Sequence, residues 1–165
     1  MDDPGILFDP AQFVDAFRPH TKSSTPCFDL DGRRAIVRVV SVYDGDTLQF
    51  VLPMDGDGQK AWRFSARLLG IDACEMRDSD PALRERAVAA RDRLVQLVGG
   101  SYDCPSSLET AKDIDRFLDQ NVCLIHATCG KMDKYGRVLL VVHTPDGRDV
   151  AQTLLEEGHA VPYAC

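Results

Sequence analysis

The sequence contains no two cysteines spaced as C-x-x-C, although it has six cysteines, and that spacing is typical of zinc and dithiol sites. The densest group is Cys123, His126 and Cys129 in "CLIHATC", whose apolar alternation predicts a β-strand. On a strand the two thiols share one face, roughly 20 Å apart, while the imidazole points to the other face. This placement disfavours a zinc site or a disulfide and favours buried free thiols in a reducing compartment.

Long hydrophobic runs are also missing, since no apolar stretch approaches the roughly 20 residues that cross a bilayer. The first ten residues, "MDDPGILFDP", have neither the cationic start nor the apolar stretch of a secretory signal. We therefore expect no membrane association and an intracellular, cytoplasmic location.

Cationic residues are fewer than acidic ones, and the formal net charge is −7. Proteins that hold nucleic acid statically through counterion release are usually basic, so this composition argues against a static binder. Bulk charge alone favours a small-molecule or protein partner. An anionic substrate would have to be met by local cations or by a bound metal ion. The length of 165 residues, with 44% hydrophobic residues, predicts one globular domain with a substantial core.

The first part of the chain, residues 1–34, has four prolines and weak periodicity, and we interpret it as an N-terminal extension. Within it, "DPAQFVDAF" predicts a short helix that starts at Asp9 and docks on the body of the protein. From Ala35 onward the pattern predicts five strands, and the first three are joined by short turns, "DGDT" and "DGDG", as in an antiparallel meander. The predicted strands are "AIVRVVSVY", "LQFVLP", "AWRFSARLLGI", "NVCLIHATC" and "GRVLLVVHT".

Helical periodicity separates the third and fourth strands and follows the fifth. The first of these helices is predicted to begin at Asp80 and Pro81 and to end at Gly99 and Gly100. A shorter second helix has a capping box at Ser106 and Glu109. The last helix runs from Asp149 to Gly158 in "DVAQTLLEEG". Five strands with two or three helices predict an α+β fold, a small β-barrel with helices packed on it.

Four places carry polar groups that the predicted fold does not require. They are Asp46 in "DGDT", Arg67 on an apolar strand, the Asp72/Glu75 pair at the end of that strand, and "KYGR" at residues 134–137. Each has an ordinary structural interpretation: a hairpin turn for the Asp-Gly of "DGDT", a rim arginine, loop acids and a solvated turn. Each signal is weak by itself.

Taken together, these groups match the requirements of phosphodiester hydrolysis. Asp46, Asp72 and a backbone carbonyl form a hard-oxygen site for Ca²⁺ or Mg²⁺, which would bind a phosphate oxygen. Glu75 is placed to take a proton from a water beside the ion. Arg67 and Arg137 provide forked donors that match phosphate oxygens.

Five motifs resemble, in order and residue type, those of the staphylococcal nuclease (thermonuclease) family, and together they cover roughly residues 35–163. The motifs are "DGDT", "RLLGIDACE", "ERAVAARDRL", "KYGR" and "DVAQTLLEEGHAVPY". The resemblance implies a domain over 35–165 with a five-stranded oligonucleotide-binding (OB) barrel and attached helices. It also implies a monomeric Ca²⁺-dependent, sugar-nonspecific nuclease, with Mg²⁺ or Mn²⁺ as possible substitutes, that hydrolyses DNA and RNA and leaves 3′-phosphate ends. Single-stranded or unpaired regions are the favoured substrate.

The resemblance also implies roles for individual residues. Asp46, Asp72 and the Ala73 carbonyl are metal ligands, and Glu75 is the general base. Arg67 and Arg137 hold the scissile phosphate. The residues implied in substrate binding are Lys134 and Tyr135, beside a terminal phosphate, and Tyr163, near a base.

Cys74 and residues 101–120 depart from the family pattern. Cys74 stands where the family usually has proline, so the loop that carries Glu75 is expected to be less rigid and to hold a thiol beside the metal site. Residues 101–120 are interpreted as a helical insertion.

Three functions compete: an active metal-dependent nuclease, a catalytically silent barrel that binds nucleic acid or protein, and a structural or inhibitory protein. Degenerate copies of such a domain usually lose the acids or the arginines first, because clustered carboxylates repel each other. All five charged catalytic and ligand side chains remain here, which favours the active nuclease.

Overall fold

A computed structural model describes residues 9–55, 59–105 and 108–164, and within these ranges it has seven strands and four helices. The strands are β1 (Arg34–Val42), β2 (Thr47–Pro53), β3 (Ala61–Leu68), β4 (Ile71–Ala73), β5 (Leu124–Met132), β6 (Val138–His143) and β7 (Ala160–Pro162). The helices are α1 (Val14–Phe17), which a 3₁₀ turn at Pro10–Phe13 precedes, α2 (Pro81–Gly99), α3 (Ala111–Gln120) and α4 (Val150–Glu156).

Five strands close into a barrel in the order β1-β2-β3-β6-β5, with β5 pairing back onto β1. The first three strands form the predicted antiparallel meander. The barrel closes through a parallel pair, β3 with β6, in which Arg67 lies opposite Leu139. The predicted α+β fold, a five-stranded barrel of the OB type with packed helices, is confirmed.

Side-chain alternation explains why these segments pair as they do. Along β2 the residues Leu48, Phe50 and Leu52 are buried in the barrel, while the residues between them point outward. The same alternation puts Cys123 and Cys129 in the core and leaves His126 exposed, as their spacing predicts. Burial raises the pKa of both thiols.

The third predicted strand is interrupted, which the sequence analysis did not foresee. "AWRFSARLLGI" was predicted to be one strand, but β3 ends at Leu68 and Gly70 adopts a φ of +85°. The chain therefore turns out of the barrel, and β4 pairs instead with β7 in a separate two-stranded sheet. This bend carries Asp72 to the rim of the barrel.

Helix α2 begins and ends as predicted. The Asp80 side chain accepts a hydrogen bond from the Ala82 N–H at 2.9 Å, and Gly100 follows the last turn with a φ of +61°. Helix α4 likewise begins after its predicted cap, Asp149.

Helix α3 forms, but its predicted start was wrong. Thr110, not Ser106, precedes its first residue, and Thr110 and Asp113 form a reciprocal capping box. Ser106 itself lies outside the described residues, as does most of the predicted "DGDG" turn. The apolar face of α3, Ile114, Phe117 and Leu118, is buried, and α3 packs beside β1.

The N-terminal segment differs from the prediction in its packing. Asp9 caps a 3₁₀ turn that continues into α1, as expected, but no residue of that turn or of α1 is buried. The helix therefore forms from its local capping signal without burying its phenylalanines in the core. None of the helices in the described part of the chain combines the length and apolar character of a membrane span.

Candidate active site at the rim of the barrel

The loop between β1 and β2, residues 44–46, is a packed segment rather than a free hairpin turn. Gly45 faces helix α2 and strand β4 so closely that an added Cβ atom would stand 2.6 Å from the Ala90 Cβ and 2.8 Å from the Ala73 Cβ. The Asp-Gly pair was interpreted as a simple turn signal, but close packing is a further reason for the glycine. This packing presses the loop against α2 and β4 and so fixes the position of Asp46.

Asp46 is buried at the base of the site, with only 2% of its surface exposed. One carboxylate oxygen, Oδ2, accepts a hydrogen bond from the Ala73 N–H at 2.9 Å, and Oδ1 accepts one from the Thr47 hydroxyl at 2.9 Å. Its backbone carbonyl accepts a bond from the Leu68 N–H at 2.7 Å. These bonds join β2, β3 and β4 at one point and supply the partners that a buried carboxylate needs.

Arg67 connects the two aspartates that the sequence analysis singled out. Its Nη2 atom lies 3.3 Å from Asp46 Oδ2 and donates a hydrogen bond to Asp72 Oδ1. Burial alone lowers the pKa of Arg67, but the negative charges of Asp46 and Asp72 raise it above its ordinary value. The two carboxylates therefore converge on a single nitrogen atom.

Asp44 also belongs to this acidic cluster, although the sequence analysis assigned it only to a turn. It is 7% exposed and accepts a hydrogen bond from the Asp46 N–H at 3.1 Å. Burial first, and then the charge of Asp46, raise the pKa of Asp44 to about 6, and Glu75 adds to the shift. The site thus concentrates negative charge that a cation would relieve.

Glu75 lies on the loop after β4, is exposed, and faces the solvent-filled cleft above the aspartates. Within the described residues its side chain makes no hydrogen bond or ion pair. It is therefore the carboxylate of this group that is free to accept a proton.

The "KYGR" segment forms a tight turn between β5 and β6, and Asp133 organises it. Asp133 accepts hydrogen bonds from the backbone N–H groups of Tyr135 and Arg137 and from Arg137 Nε at 2.8 Å. Burial raises the pKa of Asp133, but the bonds from Arg137 and Tyr135 outweigh it, so the net pKa lies below the ordinary value. Asp133 thereby fixes the direction of the Arg137 guanidinium.

Two tyrosines border the arginines. The Arg67 guanidinium carbon lies 5.3 Å from the centre of the Tyr163 ring, and Arg137 lies at the same distance from the Tyr135 ring. Lys134 Nζ is 5.0 Å from the Tyr135 ring centre. Tyr135 is 71% exposed and Tyr163 47%, so both rings remain accessible for stacking.

These groups surround one open cleft with a volume of about 1070 Å³. Of the nine residues named in the sequence analysis, seven line it, and Asp46 and Ala73 lie directly behind through the bonds described above. The seven are Arg67, Asp72, Glu75, Lys134, Tyr135, Arg137 and Tyr163. Their placement is a property of the structure, and their roles stay predictions.

Several residues of the cleft were given no functional role from the sequence. Arg63 and Ser65 alternate with Arg67 on the outward face of β3, a periodicity of two that the sequence does contain. Asp133 immediately precedes the "KYGR" motif. Thr47 immediately follows Asp46, and its bond to that carboxylate depends on the loop geometry.

The carboxylate oxygens at the base of the cleft are the candidate ligands for a divalent cation. The part of the chain that the structure describes has no cluster of three His, Cys, Asp or Glu side chains spaced to hold a metal ion. Two carboxylates, those of Asp46 and Asp72, converge on one point, and the Arg67 guanidinium lies at that point. Two hard oxygen ligands, with water completing the shell, suit Ca²⁺ or Mg²⁺, so the residues present fit such an ion.

No protein-family model matches the chain. An uncharacterized endonuclease of Escherichia coli is 29% identical over 137 residues, which cover 83% of this chain. The match spans 63% of that relative's length, less than two thirds of it. The barrel and this similarity are compatible with the resemblance to the staphylococcal nuclease family.

Replacing Gly45 with alanine tests the packing that holds Asp46. We expect Gly45→Ala to lower the free energy of unfolding by about 1–3 kcal/mol, because the added methyl group overlaps Ala73 and Ala90. Urea denaturation measures this change. Gly99→Ala is the matched control, because its methyl group meets only the Phe117 ring at 3.5 Å, an ordinary contact. Equal stabilities of the two variants would contradict close packing at Gly45.

Proposed function

We propose that the chain is a divalent-cation-dependent nuclease of the staphylococcal nuclease type, which hydrolyses phosphodiester bonds in the rim cleft. The observation that carries the proposal is the convergence of Asp46 and Asp72 on one point, next to two arginines and to Glu75, whose side chain has no partner among the described residues. The similarity to a protein named an endonuclease supports the same activity class.

In this proposal, Asp46 and Asp72 hold the cation together with the Ala73 carbonyl. The N–H and C=O of one strand residue point to the same side, and the Ala73 N–H points to Asp46, which favours this third ligand. A divalent ion bound there, expected to be Ca²⁺, would polarise a phosphoryl oxygen and offset the repulsion between the carboxylates and the substrate.

The other side chains act on the substrate directly. Glu75 takes a proton from the water whose oxygen attacks phosphorus. Arg67 and Arg137 donate hydrogen bonds to the phosphoryl oxygens, where negative charge builds up in the transition state. The bond between phosphorus and the 5′-oxygen breaks, and that oxygen takes up a proton from solvent. The products are a 3′-phosphate and a 5′-hydroxyl.

The cleft favours DNA and RNA that are single-stranded or locally unpaired. Accessible tyrosine rings at two sides of the cleft, Tyr135 and Tyr163, can stack on bases regardless of sequence. The surface charge of the cleft is also unlike that of the whole chain. Its lining has four cationic side chains and three acidic ones, whereas the chain carries −7. Local cations thus offset part of the acidic background, and the proposed ion would offset the charge of Asp44 and Asp46, which lie behind the lining.

Digestion of single-stranded DNA and RNA in the presence of Ca²⁺ tests the activity and the product chemistry together. We expect fragments of both polymers whose 3′ ends cannot be extended by a polymerase until a phosphatase has removed the terminal phosphate. Parallel reactions with Mg²⁺ and Mn²⁺ establish ion selectivity. Fragments with free 3′-hydroxyl groups would contradict the proposed bond cleavage.

Arg67 changes partners in the proposed reaction. It contacts Asp46 and Asp72 in the free protein and donates to the substrate phosphate once the substrate has bound. We expect Arg67→Gln to lower turnover about 10²- to 10³-fold, because a donor to the phosphoryl oxygens is lost. Ca²⁺ should bind the variant at least as tightly as the wild type, since no guanidinium competes for the two carboxylates. Calorimetric Ca²⁺ titration measures this affinity. Weaker Ca²⁺ binding by the variant would show that Arg67 supports the ion site instead.

A further inference from the structure

We infer that Arg63 forms a second phosphate-binding position, which holds the nucleic acid strand several nucleotides away from the bond that is cleaved. The inference rests on the proposed nuclease function and adds a site to it. Its ligand is an internal phosphate of a single strand, and its consequence is a preference for long substrates over short ones.

Arg63 lies on the same wall of the cleft as Arg67. Both residues are on β3, and because their numbers differ by four, their side chains leave the same face of the strand. Their partners on β2 are Val51 and Thr47, respectively. Arg63, Ser65 and Arg67 all line the cleft, so the outward row of β3 is one continuous surface from the reaction site to Arg63.

In the part of the chain that the structure describes, Arg63 differs from the other arginines of the cleft in having no acidic partner. Arg67 is bound by Asp46 and Asp72, and Arg137 is bound by Asp133. Among the described residues Arg63 makes no hydrogen bond, ion pair or ring contact. It also borders a depression of about 300 Å³ that Asp115 and Asp119 line, but it bonds to neither acid. Its guanidinium is therefore available to an anion from solution.

The position of Arg63 suits a nucleic acid strand that extends beyond the reaction site. Four residue steps along β3 place it about 13 Å from Arg67. Phosphates on one strand of a duplex rise by about 3.4 Å each and stand further apart when the strand is extended. Arg63 is thus about two to four phosphates from the scissile one. A guanidinium binds such a phosphate with two parallel hydrogen bonds and without regard to base sequence.

The dependence of kcat/KM on substrate length distinguishes the Arg63 position from the reaction site. For the wild type we expect kcat/KM, in the presence of Ca²⁺, to be higher for an oligonucleotide of about ten residues than for a dinucleotide. Arg63→Gln should lower the value for the long substrate roughly fivefold, through KM, and leave the dinucleotide value unchanged. The slope of log(kcat/KM) against log(salt concentration) should become shallower by about 0.7, the contribution of one phosphate contact on a single strand.

Two further variants serve as controls. Arg63→Lys keeps the charge and should restore most of the preference for the long substrate. Arg34→Gln removes an exposed strand arginine that does not line the cleft, and it should change neither substrate. If Arg63→Gln cleaves both lengths as the wild type does, or loses activity equally on both, the inference is wrong while the nuclease function stands.

If the wild type cleaves neither length, the proposed function is refuted. Oligonucleotide binding then tests the Arg63 position by itself. Fluorescence anisotropy of the same oligonucleotide in Ca²⁺ then compares wild type with Arg63→Gln. Roughly fivefold weaker binding of the variant supports the phosphate position, and equal binding overturns it.

Discussion

Replacing Glu75 with glutamine should lower turnover about 10²- to 10⁴-fold and leave Ca²⁺ binding almost unchanged. The amide has nearly the shape of the carboxylate, but it cannot accept a proton from the attacking water. Glu75 lines the cleft, and its side chain makes no hydrogen bond or ion pair within the described residues, so the replacement breaks none of the bonds that hold the fold there. Single-turnover cleavage of a labelled single strand measures the chemical step, and calorimetry measures Ca²⁺ affinity.

The matched control for this variant is Glu85→Gln, an exposed glutamate on α2 that does not line the cleft. It should retain wild-type turnover. The proposed role of Glu75 is contradicted if its replacement weakens Ca²⁺ binding as much as it lowers turnover, because that result would make Glu75 part of the ion site or of the fold.

Removal of divalent cations should abolish cleavage of single-stranded DNA completely. Without an ion, Asp44, Asp46 and Asp72 place negative charge where the phosphate must approach, and Arg67 is held between two of these acids. A reaction in excess chelator should therefore give no product, and excess Ca²⁺ should restore the full rate. Undiminished cleavage in chelator would show that the proposed ion has no part in the reaction.

Ca²⁺ binding should also be visible without any substrate. An ion that binds only the folded protein stabilises it, by about 2.7 kcal/mol when its concentration is one hundred times its dissociation constant. We expect thermal unfolding in Ca²⁺ to occur at a higher temperature than in chelator. In Asp46→Asn this difference should shrink, since one carboxylate of the pair is lost. Circular dichroism in chelator should show that the ion-free protein remains folded.

The elements that the sequence predicted well are those defined by local chemistry. Strict alternation along β2 and the Asp80 cap before α2 specify those elements without reference to the rest of the chain. The start of α3 was predicted wrongly because two candidate capping boxes, Ser106 with Glu109 and Thr110 with Asp113, precede the same apolar pattern. The structure shows the reciprocal bonds at Thr110 and Asp113, which place the start of the helix there. Buried Arg91, which donates to the Leu108 carbonyl, had no local signature.

The sequence predicted which residue types line the cleft, but it did not predict which of them contact each other. The spacing of Asp72 and Glu75 after an apolar strand marked the rim, yet the turn at Gly70 that brings Asp72 there depends on pairing with β7. The bridge from Arg67 to both aspartates depends on the register of three strands. The packing reason for Gly45 depends on α2, which is distant in sequence.

The central claim, that the rim cleft cleaves the strand it binds, is tested most directly by following one end-labelled single-stranded oligonucleotide in millimolar Ca²⁺. A native gel reports binding and a denaturing gel of the same sample reports cleavage. The nuclease account predicts shortened products that accumulate over many turnovers. A shifted band on the native gel with intact oligonucleotide on the denaturing gel would contradict it and identify the barrel as a silent binder.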